Sequence, residues 1–241
     1  MRVSNINHQK SYNSVVFTSF PNAADFVKGI GSVKLAGVKK MPLSERLFFV
    51  GKWLVGLYNV RTNGEYVIKK GKVPYKLSTQ TIIIPRGVQV GIGNYSATEK
   101  IVVRGDISKE VGLKSKNIVI DEFANFSGTT KSTCLNIYGS TTNDSNHFTK
   151  ELHIESGADA GGKFVVKGPA YIYGNLLSNS EVSAEGVYAG EGSKIEGVLR
   201  STKPINILGE LADRAQAQSP EFVIHPGAKV HSDAKLSKDF S

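Results

Sequence analysis

Large apolar or aromatic side chains return at every seventeenth residue through half of this chain, and that return limits the fold more than any other feature. The ladder runs Val103, Ile120, Ile137, Ile154, Tyr171, Tyr188, Ile205 and Phe222. With 40% of the 241 residues apolar, eight hits in one register arise by chance on the order of once in a thousand trials. A second ladder of Ile101, Ile118, Leu135 and Leu152 stands two residues earlier, which on a strand is the same face. A third, Phe148, Val165, Val182 and Leu199, marks another side of the unit. Such a unit is too short for a strand-helix-strand crossover. It fits one rung of a parallel β-helix, whose coils stack at about 4.8 Å.

The glycines set the corners of that rung. Gly168, Gly174, Gly186 and Gly192 keep a six-residue frame, which Gly197, Gly209 and Gly227 resume after a slip of one. Six residues make one side of a triangular coil, and corners need residues that accept unusual backbone angles. The expected fold is all-β, a single-stranded parallel β-helix over residues 77–236. Ile82, Ile83, Ile84, Val88, Val90 and Ile92 supply its first strands; 127–133 and 140–146 read as loops at corners, and 211–220 as a loop or a short helical excursion. About nine coils make a rod on the order of 40 Å long.

Charge divides the chain in two. Residues 1–72 hold twelve Lys and Arg against three acids, whereas 73–241 hold eighteen of each, so the net charge of +9 sits in the first third. Residues 1–40 lack a sustained period and read as a basic irregular arm. Over 41–76, Ser44 caps an amphipathic helix with Leu47, Val50, Leu54 and Leu57 on one stripe, and Asn63-Gly64 marks a β-hairpin. Residues 237–241 form a tail. The helix and hairpin are expected either to cap the first coil or to lie in an anionic membrane surface. In the second case Phe48, Phe49 and Trp53 insert, and Lys39, Lys40, Arg46 and Lys52 meet headgroups. No motif for specific nucleic-acid reading accompanies the basic residues.

The single cysteine, Cys134, cannot close an internal disulfide, and the first residues lack a charged stretch followed by an apolar core; both point to the cytoplasm. No apolar run approaches the roughly 20 residues of a membrane-spanning helix. Cys134 itself reads as a small core residue, with no histidine near it in sequence to activate it.

Among the five histidines, His153 lies between inward Leu152 and Ile154 and is expected to face outward. His225 and His231 are worded like the hexapeptide-repeat acyltransferases and the solenoid carbonic anhydrases. A zinc site of the latter kind needs three converging histidines, and His153, the third available, is some four coils away. No HExxH, P-loop, GxSxG or CxxC occurs. The expectation is a protein that is not an enzyme and has no cofactor or resident metal, with a hexapeptide-repeat-type acyltransferase as the enzymatic alternative.

The stretches Gly168-Pro169-Ala170-Tyr171-Ile172-Tyr173-Gly174-Asn175-Leu176, Glu181-Val182-Ser183-Ala184-Glu185-Gly186, Lys194-Ile195-Glu196-Gly197-Val198-Leu199 and Ile207-Leu208-Gly209-Glu210-Leu211 resemble the bactofilins. The resemblance covers roughly residues 100–235. It implies a right-handed triangular β-helix that joins end to end into cytoskeletal filaments without nucleotide. It also implies placement at the inner face of the membrane and service as a scaffold for envelope or polar proteins. Self-association would use the end coils, with Phe222 and Phe240 as candidate junction residues. The chain departs from the family in its front third. If that part caps the solenoid, the protein is instead a non-polymerising binding module.

Overall fold

The computed structural model describes residues 59–70 and 73–238. The arm, the amphipathic helix, the seven candidate membrane-contact residues from Lys39 to Trp53, and Phe240 all lie outside these. The described chain is a parallel β-solenoid of 26 strands in about ten turns, the strands of the inner coils pairing with those one turn before and after. Three stacked faces result, here A, B and C.

Face A holds two inward columns. One is Ile82, Ile101, Ile118, Leu135, Leu152, Ala170, Val187, Ile205 and Phe222. The other is Ile84, Val103, Ile120, Ile137, Ile154, Ile172, Ala189, Ile207 and Ile224. The stacking of Val103 to Ile154 agrees with the seventeen-residue ladder. At Tyr171 and Tyr188 the ladder leaves the core, since Ile154 pairs with Ile172 while Tyr171 pairs with His153 on the outer surface; at Ile205 it returns to an inward column. The corner explains the slip. Three residues lead from Thr149 to Leu152, whereas the equivalent step from Val166 to Ala170, through Lys167-Gly168-Pro169, takes four. One added residue exchanges inside for outside along a strand.

Face B is corrected in part: Val182 and Leu199 hold inward positions as expected, whereas Phe148 and Val165 do not. Its column is Val60, Leu77, Tyr95, Leu113, Thr130, His147, Phe164, Val182, Leu199 and Ala217. The expected Phe148 points outward and is 46% exposed, and His147 takes the core position at 0%. Face C stacks Val90, Ile107, Phe126, Thr141, Ala160, Leu176, Ile195 and Leu211.

The corners alternate between two designs. Where face A passes to face C, the step is long from Ile120 to Phe126, short from Ile137 to Thr141, long from Ile154 to Ala160 and short from Ile172 to Leu176. Where C passes to B the order is reversed: short from Phe126 to Thr130, long from Thr141 to His147. Each coil therefore has one long and one short corner, and its length stays near 17. Long corners are hydrogen-bonded turns, as in Ala158 N to Glu155 O at 3.0 Å and Ser180 N to Leu177 O at 3.2 Å. Short corners place glycine against the turn of the preceding coil. A Cβ on Gly174 would lie 2.4 Å from the Glu155 carbonyl oxygen, and one on Gly197 would lie 2.5 Å from that of Ser180. The repeating unit is thus a pair of coils, with turns and glycines interlocked.

The solenoid starts earlier than residue 77, and the hairpin is absent. Asn59–Arg61 and Glu65–Val67 both pair parallel with Lys76–Ile84, the first on face B and the second on face A. Asn63-Gly64, with Gly64 at φ +96°, turns the chain around a corner of the first coil instead of folding it back. Loop stretches 127–133, 140–146 and 211–220 contain short strands of the same ladders.

Candidate functional site

Three places on the solenoid gather the residues singled out by the sequence. The first is the last described coil. Phe222–Ile224, Lys229–Val230 and Lys235–Ser237 each pair with the coil before them. Their apolar side chains continue the core columns. Phe222 is half-buried beneath Ile205, while Ile224, Val230 and Leu236 are 49%, 38% and 39% exposed. Every earlier member of these face A and C columns from Ile82 and Val90 to Leu211 is buried. The coil therefore presents an apolar triangular edge with backbone groups aimed along the axis.

His225 and His231 occupy the same coil. His231 sits 3.2 Å from Glu210 Oε1 and 3.2 Å from Asp213 Oδ1. His225 Nε2 is buried without a hydrogen-bond partner. Each stands at a turn, Ala228 N donating to His225 O and Ala234 N to His231 O.

The second place is internal. His147 stacks on Phe164 with ring centroids 4.5 Å apart and tilts against Phe126 at 5.5 Å. The single Ser145 hydroxyl proton is shared between the carbonyls of Thr142 and Gly161, at 2.7 and 2.9 Å, so the oxygen accepts from His147 Nε2–H at 2.8 Å. Thr130 Oγ1–H then donates to Nδ1 at 2.9 Å. These bonds fix a neutral tautomer, and burial lowers the imidazole pKa to about 3. The group is satisfied and sealed in the core, which suits a structural role. In the adjacent part of face B, Tyr95 is likewise buried and donates to the Pro74 carbonyl, and burial pushes its phenol up to about 12.

The third place is the outer surface of face A. His153 faces outward as expected, but so does Cys134. Leu135 and Ile137 are its inward neighbours, so the core placement expected of Cys134 is corrected by strand alternation. Cys134 pairs with Glu151, and Asn136 with His153, across adjacent coils. His153 Nε2 lies 2.8 Å from Glu151 Oε1. Its ring stacks on Tyr171 at 4.9 Å, and Tyr171 leads on to Tyr188. Burial, reinforced by the Glu151 charge, raises the Cys134 thiol pKa, against the lowering effect of the Asn136 amide. Sequence distance hid this grouping, because one coil separates neighbours in space by about 17 positions.

An open depression of about 400 Å³ lies over face B between Lys167, Glu185, Arg200 and Thr202. Among the described residues no helix is long and apolar enough to cross a membrane. No protein-family model, curated protein or solved structure matches the chain.

Proposed function

We propose that the protein is a non-enzymatic scaffold of bactofilin type that assembles by docking solenoid ends coil on coil. The observation that supports this reading is the exposed edge formed by Phe222, Ile224, Val230 and Leu236. A second copy offers the same triangular outline and apolar columns, so docking would continue the core columns between subunits. In this reading the protein works in the cytoplasm. Its basic front third attaches the assembly to an anionic membrane surface, and envelope or polar proteins bind along the rod.

Negative-stain microscopy and sedimentation of the purified chain test the assembly step. Elongated oligomers are expected, lost in Phe222→Arg and in Leu236→Lys. Monomers of the unaltered chain at high concentration would overturn assembly and leave the capped binding module. Flotation with anionic vesicles, weakened in Trp53→Ser, tests the membrane step separately. Turnover of an acyl-CoA that disappears in His225→Ala would favour the acyltransferase.

A further inference from the structure

We infer that Cys134, Glu151 and His153 form a binding site for a borderline-soft divalent cation, best matched by Zn²⁺, on the outer surface of face A. This site is independent of the end-docking reading. One sulfur, one carboxylate oxygen and one imidazole nitrogen lie within 4.8 Å of one another. Three ligands at the bond lengths usual for zinc, about 2.0–2.3 Å, stand roughly 3.3–3.7 Å apart in a tetrahedron. To reach that spacing the Glu151–His153 contact, now 2.8 Å, opens and the thiol draws in, the cation replacing their hydrogen bond.

The backbone predisposes the arrangement. Parallel pairing puts Cys134 directly beside Glu151, and His153 follows Glu151 by two positions on the same outward face. Tyr171 stacks on the imidazole and fixes its plane, and Asn136 Nδ2 approaches Cys134 Sγ at 3.5 Å. Such outer partners orient ligands and raise affinity.

The donor set selects among cations. Thiolate and imidazole disfavour Ca²⁺ and Mg²⁺, which take oxygen ligands, and suit zinc. A thiolate and a carboxylate neutralise a 2+ ion, and the half-buried position leaves the fourth coordination place to water. Binding displaces the thiol proton, so affinity rises with pH.

The test uses the full chain, stripped with chelator, and zinc chloride as the probe. Because Cys134 is the only cysteine, alkylation reports on this site alone. One equivalent of zinc is expected to slow alkylation at least tenfold, and cobalt(II) to give a thiolate charge-transfer band. Cys134→Ser should abolish that band; His153→Ala and Glu151→Gln should each weaken zinc binding about tenfold or more. All three residues lie on the surface, so the variants should keep the β-sheet circular dichroism of the parent. Alkylation unaffected by zinc, or zinc binding of equal strength in Cys134→Ser, would overturn the site.

Discussion

At the scale of single residues, His147 is the most informative side chain. A histidine in a column of leucines, valines and aromatics is tolerated because Thr130 and Ser145 satisfy both ring nitrogens and two aromatic rings cover its faces. The same enclosure penalises its cation. With a folded pKa of about 3 against the ordinary 6.5, the unfolded chain binds the extra proton between those values. The neutral ring's contribution is therefore fully present above about pH 6.5 and is lost as pH falls toward 3. Urea unfolding at pH 7 and pH 4 should show a smaller loss of stability in His147→Phe than in the parent. At pH 7 the variant should be weaker by about 1–3 kcal/mol, because the buried Thr130 hydroxyl loses its partner. An equal loss in both proteins on acidification would place the acid sensitivity elsewhere.

At the scale of strands and corners, the alternation of turn and glycine makes two corner glycines behave differently. Gly157, at φ +83°, has open space where a Cβ would go, while Gly174 has the Glu155 carbonyl oxygen 2.4 Å away. Gly157→Asn should be nearly neutral, since asparagine tolerates left-handed backbone and Asn179 already holds φ 65° at another turn. Gly174→Asn should cost about 1–3 kcal/mol, because backbone must move. Thermal unfolding of the pair checks this, and similar melting temperatures would contradict the interlocked corners.

The ladders on faces A and B give a second comparison at this scale. The column through Phe148 that a strict seventeen-residue step implies would make Phe148→Ala the damaging change and Phe164→Ala the mild one. The structure reverses that order: Phe164→Ala should cost about 3–5 kcal/mol, and Phe148→Ala within about 0.5 kcal/mol, as measured by chemical denaturation. Coil architecture was legible in the sequence because similar aliphatic residues must stack wherever coil length is constant, as from Val103 to Ile154. Side-chain direction was not legible at Tyr171 and Tyr188, past the Gly168-Pro169 corner, since a single added residue leaves the composition unchanged but inverts the face. Cys134 turns outward by simple strand alternation, since Leu135 and Ile137 hold the inward positions. The cluster with Glu151 and His153 was concealed because it depends on register between coils, not on spacing along one strand. Asn63-Gly64 misled for a related reason: the dipeptide favours a turn but does not determine whether the following strand pairs with the one before it or with the next coil.

At the scale of the whole solenoid, the force that would join two copies can be separated from the force that would bring the basic third to a membrane. Residues 73–241 carry equal numbers of bases and acids, so most of the solenoid adds no net charge to the repulsion between copies, which comes from the basic front third. The junction is instead apolar, built from Phe222, Ile224, Val230 and Leu236. Raising salt from about 0.1 M to about 1 M shortens electrostatic reach from about 10 Å to about 3 Å, yet leaves the gain from burying apolar surface in place. Oligomers measured by sedimentation should therefore persist across that range, whereas binding to anionic vesicles should fall steeply. Oligomers that dissolve in salt while Phe222→Arg leaves them intact would move the junction from the terminal coil to the basic residues of the front third.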